Sequence, residues 1–173
     1  RRKLERFGDQ ILIRGEPKAW WDRDASLVGW HEAKVEIADA GGKWKMRGKA
    51  ARSWTIKYGE LTFEARMTDM SKHVGVFPEQ EPHWRWLQER LAKRTRPRVL
   101  NLFGYTGAAS LVAASAGAEV THVDASKPAI NWGRHNQEIS GMGNAPIRWI
   151  LDDAFKYVAR DVRRQRVYDA ILL

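Results

Sequence analysis

The chain has 173 residues, enough for one sizeable core or for a modest domain with a smaller unit beside it. Its 43% hydrophobic and 29% charged content is ordinary for a globular protein, and no apolar run approaches the roughly 20 residues needed to span a bilayer. There is no cysteine, which excludes disulfides, thiolate metal ligands and cysteine nucleophiles within these residues. The net charge of +9 is unevenly placed: residues 1–96 hold 21 Lys/Arg against 14 Asp/Glu, whereas residues 97–173 hold 9 against 7. A polyanion is therefore expected to meet the first half of the chain.

The chain opens Arg1-Arg2-Lys3 without methionine and closes inside an apolar segment, and so reads as a fragment. Glu5 and the lack of an apolar stretch behind it argue against a targeting peptide. Residues 1–75 are expected to form a small, mainly antiparallel β unit. Strand-like runs at Gln10–Arg14 and Val35–Ala38, basic segments flanking Gly48 and the run Leu61–Met67 are cut by turn residues, with a hairpin turn at Ala40–Lys43. Leu61, Phe63, Ala65 and Met67 alternate with Thr62, Glu64, Arg66 and Thr68, the pattern of a strand buried on one face. Seven of the nine tryptophans precede residue 90, several beside cations, as in Trp44-Lys45-Met46-Arg47 and Trp84-Arg85-Trp86. Such rings serve either as core or as stacking platforms for unpaired bases.

Residues 76–97 connect the two halves. Trp84, Leu87 and Leu91 fall on one helical stripe over 83–94, and Pro97 is expected to end it. From Arg98 onward strand and helix alternate, with strands near 98–103, 119–124, 147–151 and 168–173 and helices near 106–117, 127–140 and 153–165. That alternation predicts a parallel sheet with helical crossovers. Ser126 is placed to cap the second of these helices, with Pro128 in its first turn and Gly141 just past its end.

The first strand and helix are joined by a turn holding Gly104 and Gly107, and the second strand ends in Asp124, 17 residues after Gly107. A carboxylate there can accept hydrogen bonds from both hydroxyls of a ribose. The turn offers only G-x-x-G, lacking the third glycine of a dinucleotide site and the lysine of a P-loop. A nucleoside cofactor without phosphates, S-adenosylmethionine, fits better than NAD. Asp152 and Asp153, adjacent at the third strand end, point to opposite faces, so one is expected at the ligand and the other at the helix cap, with Asp152 favoured for the ligand. Phe103 either packs under the first helix or meets the ligand, and Tyr105 is the better contact, its ring face suiting a sulfonium. The five histidines show no metal-ligand spacing, so no metal is expected.

Asn101–Gly107, Val123–Ser126, Asn136 and Asp152–Phe155, with Lys72–Gln80 upstream, resemble the class I S-adenosylmethionine-dependent methyltransferases related to the large-subunit ribosomal RNA cytosine-C5 enzymes. The resemblance covers roughly residues 70–173. It implies an α/β, Rossmann-like parallel sheet ordered 3-2-1-4-5-7-6, here reaching its fourth strand and preceded by the β unit, with 98–173 the first half of the cofactor domain. It further implies that Phe103, Gly104, Tyr105, Thr106 and Gly107 wrap the cofactor. Asp124, with Ala125 and Ser126, would meet the ribose, Asp152, Asp153, Ala154 or Phe155 the adenine, and Gln80 the methionine end. The catalytic group is expected in an Asp-Pro-Pro-x-Phe loop after Leu173. A cytoplasmic enzyme acting on a base of ribosomal RNA is the implied function. The competing readings are a methyltransferase for protein or small molecules and a non-catalytic RNA-binding protein that keeps the fold.

Overall fold

In the computed structural model, which describes residues 1–37, 43–69 and 71–173, the chain divides into two compact units. One comprises residues 1–57 and 64–75, the other 58–63 and 76–173.

The first unit is built on a four-stranded sheet of β1 (Arg2–Phe7), β2 (Gln10–Gly15), β3 (Val35–Ile37) and β4 (Lys45–Met46), in that order. The basic N-terminal segment is thus a strand, which the sequence reading missed. Its charged side chains lie at the surface, and only Phe7 is buried. Gly8, at φ +60°, turns the chain back so that Phe7 pairs with Gln10. The sheet is not wholly antiparallel: β2 and β3 run parallel, because the connection through α1 (Gly29–Glu32) is long enough for a crossover. The expected turn at Ala40–Lys43 falls mostly outside the described residues. The core gathers Phe7, Leu12, Val35, Ala65, Met67 and Val74, with Trp44 and Trp54 packed at its margin. Both rings bury their faces while donating Nε1–H to backbone carbonyls, Trp44 to Thr68 and Trp54 to Phe7.

β5 (Ser53–Tyr58) and β6 (Leu61–Arg66) pair as a separate two-stranded sheet. Leu61, Phe63 and Ala65 of β6 are buried, followed by Met67, while Thr62 and Glu64 are not, as the alternation required.

The second unit is a parallel sheet ordered β10-β7-β8-β9, from β7 (Arg98–Leu102), β8 (Glu119–Asp124), β9 (Ile147–Leu151) and β10 (Ala170–Leu172). Numbered along the chain this is the order 4-1-2-3, the order expected from the sequence for the first four strands. Helices cover both faces. Val99 and Val120 pack with Leu87 and Leu91 of α2 (Glu81–Leu91) and Ala113 and Ala114 of α3 (Ala108–Ser115). Leu100, Leu102 and Val123, an odd number of residues further along their strands and so on the opposite face, pack instead with Ala154 and Tyr157 of α5 (Ala154–Arg163). Helix α4 (Lys127–Ile139) starts at Ser126, whose hydroxyl accepts from the Ala129 N–H. Gly141, at φ +69°, follows its end.

Pro97 does not end α2. The helix stops at Leu91, its last buried stripe residue; one turn later Arg94 turns to Asp169 at 2.7 Å instead of into the core. A reciprocal clasp closes this unit's far end: Ser140 Oγ accepts from the Thr62 N–H at 3.0 Å and donates to the Thr62 carbonyl at 2.8 Å. Ser140→Ala leaves both backbone groups without these partners and is expected to lower stability by about 1–3 kcal/mol, read as a lower denaturant midpoint at unchanged slope.

Candidate cofactor site

The loop leaving β7 has three left-handed residues within five: Phe103 at φ +53°, Tyr105 at +50° and Gly107 at +80°. Glycine adopts this conformation freely, whereas a side-chain-bearing residue does so at a cost of order 1–2 kcal/mol. The strain is held by specific bonds. The Tyr105 N–H donates to Asp124 Oδ2 at 2.8 Å, and the buried Asn136 side chain donates to the Thr106 carbonyl at 3.0 Å. The Gly104 N–H reaches the Val123 carbonyl at 3.2 Å, and the Gly107 N–H reaches the Gly104 carbonyl at 2.9 Å.

The two glycines are also demanded by what lies beneath them. A Cβ on Gly104 would stand 2.3 Å from Cε1 of His122, and one on Gly107 would stand 2.5 Å from Cη2 of Trp149. Gly133, inside α4, has the same neighbour: its Cβ would meet Trp149 Cζ3 at 2.4 Å. The Trp149 indole is therefore wedged against two helices, its Nε1–H donating to Gln137 Oε1 at 2.7 Å and its ring 4.4 Å from that of His122. Sequence reasoning missed this wedge. An unexplained glycine in the middle of a helix was the available signal.

Asp124 sits at the carboxyl end of β8 with each oxygen bound once, Oδ2 by Tyr105 N–H and Oδ1 by Ser126 N–H at 2.8 Å. Each carboxylate oxygen retains a second lone pair, the complement of two neighbouring hydroxyls. The carboxylate is thereby fixed in orientation by the loop it would serve. Tyr105 is half-buried, its ring 5.7 Å from Phe77 and 6.2 Å from Trp132. Burial, with Asp124 nearby, raises its phenol above the ordinary value.

The remaining expected residues separate by role. Asp153 caps α5, accepting from the Lys156 N–H at 2.9 Å. Asp152 pairs with Arg160, and this guanidinium holds its carboxyl below the usual carboxylate range. The Asp152 N–H donates to the Asp124 carbonyl at 3.1 Å, joining the two strand ends. Ala154, the first residue of α5, is buried against the sheet, while Phe155 beside it stands 78% exposed. Phe103 does not pack under the first helix: it is 58% exposed, its ring 6.2 Å edge-on to that of Phe155. Ala125 is exposed, Thr106 is buried, and Gln80 is exposed on the short 3-10 turn Pro78–Gln80 that follows Phe77. Among the described residues no group of three or more His, Asp or Glu side chains is placed to hold a metal, and no helix is long and apolar enough to cross a membrane.

Below the loop lies a buried polar relay absent from the sequence reading. Asn101 Nδ2 donates to Ser110 Oγ, which lies 2.9 Å from Nδ1 of the fully buried His122. Burial pushes the imidazole down to about 4, partly opposed by the Asp124 charge.

A profile of the S-adenosylmethionine-dependent methyltransferase family matches residues 15–173. A crystal structure of an S-adenosylmethionine-dependent methyltransferase from Agrobacterium tumefaciens superposes with a TM-score of 0.92 at 46% identity, covering 98% of this chain and 55% of that one. A putative methyltransferase crystallised with S-adenosylhomocysteine shares the fold at a TM-score of 0.77 and 22% identity, over 96% of this chain and 46% of its own. The ribosomal RNA large subunit methyltransferase K/L of Magnetococcus marinus is 34% identical over 75% of this chain, which spans only 17% of that protein. The chain belongs to the S-adenosylmethionine-dependent methyltransferase family.

Gly107→Ala is expected to destabilise well beyond Gly117→Ala. Both residues have positive φ, but Gly117 has open space where Gly107 meets Trp149. The exposed substitution should cost about 1 kcal/mol and the buried one clearly more, compared by thermal melting.

His122 predicts a pH dependence. Its folded value lies below the ordinary 6.5, so its contribution is complete above pH 6.5 and is lost as pH falls toward 4. The full loss is about 3 kcal/mol, and in a His122→Gln variant the urea midpoint should flatten across that window.

Proposed function

We propose that this protein transfers the methyl group of S-adenosylmethionine to a base of ribosomal RNA in the cytoplasm. The observation that carries the cofactor assignment is Asp124, a carboxylate oriented by two backbone amides and retaining one lone pair on each oxygen for a ribose. Gly107 supports the fit, since its positive φ and its close approach to Trp149 seat the turn that carries Tyr105 toward Asp124. Phe103 and Phe155, both exposed at the strand ends, offer apolar surface to a purine, with the Asp152 carboxylate beside them as acceptor for its amino group. The Tyr105 face is available to a cationic sulfonium. RNA as substrate is supported by the name of the Magnetococcus relative and by the basic, tryptophan-rich first unit, where Trp20 and Trp21 are exposed.

When bound, the cofactor supplies an electrophilic methyl on a positively charged sulfur. The chain's task is alignment: Asp124, Tyr105 and the loop fix the donor so that displacement proceeds in line, which demands positioning more than acid-base chemistry. The 173 residues contain no cysteine, so they supply no thiolate for addition to a pyrimidine ring. A ring or exocyclic nitrogen acceptor requires none, and the target base would be splayed from its stack to reach the methyl.

Calorimetric titration of the full-length protein with S-adenosylhomocysteine should give micromolar binding, weakened at least about tenfold, near 1.4 kcal/mol, by Asp124→Ala, with NAD giving no heat. A folded protein that ignores S-adenosylhomocysteine would overturn the assignment.

A further inference from the structure

At the opposite end of the parallel sheet from Asp124 lies a second cleft, about 660 Å³, with a lining distinct from the cofactor loop. Arg98 opens β7, Thr121 lies in β8 and Arg148 in β9. The parallel register sets Arg98 beside Glu119 and Thr121 beside Arg148, so these side chains emerge on one face of the sheet, the face that α5 covers higher up. The segment after α5 closes the cleft with Gln165, Arg166 and Tyr168.

The charge in this cleft is one-sided. Among the described residues Glu119 is the only carboxylate in the lining, and Arg96 pairs with it at 2.7 Å. Arg98 lies over the Tyr168 ring, 5.4 Å from its centroid, with no ion pair among the described residues. Arg148 is exposed and has no ion pair or hydrogen bond there either. Arg166 is already engaged, facing Asp161 at 3.8 Å and hydrogen-bonded through its side chain to Tyr168. Two guanidiniums from separate strands, Arg98 and Arg148, thus line one recess with their donors largely unspent, and an incoming anion would be attracted by both. Planar, forked donors of this kind match the non-bridging oxygens of phosphate. Arg163 and Arg164, exposed at the end of α5, extend the positive surface.

We propose that this cleft grips the phosphodiester backbone of the RNA substrate, a holding site separate from the cofactor pocket. The inference rests on the RNA reading given above. Strands of five residues put the two ends of the sheet about 16 Å apart, so backbone held here leaves the cofactor loop open to a target base elsewhere on the same molecule. The sequence reading placed the polyanion on the first half of the chain; the second unit, with its small net charge, concentrates arginine at one pole.

The test uses the full-length protein and a fluorescently labelled large-subunit ribosomal RNA transcript, with affinity read by anisotropy from 50 to 300 mM salt. The Arg98→Gln/Arg148→Gln double variant should bind at least about tenfold more weakly, with a salt slope shallower by about 1.5–2, whereas Arg98→Lys/Arg148→Lys should retain the slope. S-adenosylhomocysteine affinity serves as the folding control and should not change. Arg134→Gln, which removes one exposed charge from α4, should affect RNA binding less than Arg148→Gln alone. Unchanged RNA affinity in a double variant that still binds S-adenosylhomocysteine overturns the cleft while leaving the methyltransferase reading standing. Equal losses from Arg134→Gln and Arg148→Gln overturn it as well, reducing the effect to net charge. Absence of RNA binding by a wild type that takes up S-adenosylhomocysteine overturns the cleft together with the RNA reading.

Discussion

The glycine loop after β7 depends on one packing contact, the Trp149 indole lodged against the backbone of Gly107 and Gly133. Trp149 comes from the third strand of the parallel sheet, Gly107 from the mouth of the first crossover and Gly133 from the middle of the second. A single ring thus sets how closely two helices approach the sheet and how deeply the loop sinks between them. His122 extends the support on the neighbouring strand, tilted against Trp149 and filling the space that Gly104 vacates. Close-packed interiors transmit such constraints because no adjacent void exists to absorb a displaced atom.

On the proposed assignment, Asp124 connects this scaffold to the cofactor. Its hydrogen bond to Tyr105 N–H stabilises a strained loop residue, and the same bond fixes the carboxylate. Loop geometry and ligand geometry are consequently one property, and a change that frees the loop also frees the acid. Pre-organisation of this kind lowers the entropy lost when a flexible cofactor is bound.

The order of strands and helices from Arg98 was legible because apolar runs of strand length alternate there with segments of helical period, and the caps Ser126 and Asp153 stand where local chemistry puts them. The β1 strand was not legible: five of its six side chains remain outside the core, so its conformation is decided by pairing with β2 rather than by any pattern of its own. The end of α2 was misplaced because proline was given more weight than the loss of apolar stripe positions after Leu91. At the site, Gly107 and Asp124 were visible as a turn and a strand-end carboxylate. Trp149, His122 and Asn101 were not, since each reads locally as an ordinary strand residue and acquires its role only through contacts many residues away.

The pairing of Asp152 with Arg160 bears on which purine the site accepts. An aspartate carboxyl carries no proton near neutral pH, and the guanidinium lowers its range further, so it can only accept hydrogen bonds. On the proposed placement at the adenine edge, such a group welcomes an amino substituent and opposes a carbonyl oxygen at the same ring position. The carboxylate itself would then discriminate between amino- and oxo-purine nucleosides, and the ion pair serves to hold its orientation. A cofactor analogue deaminated to the hypoxanthine form would be turned away through electrostatic repulsion, although its shape is nearly unchanged.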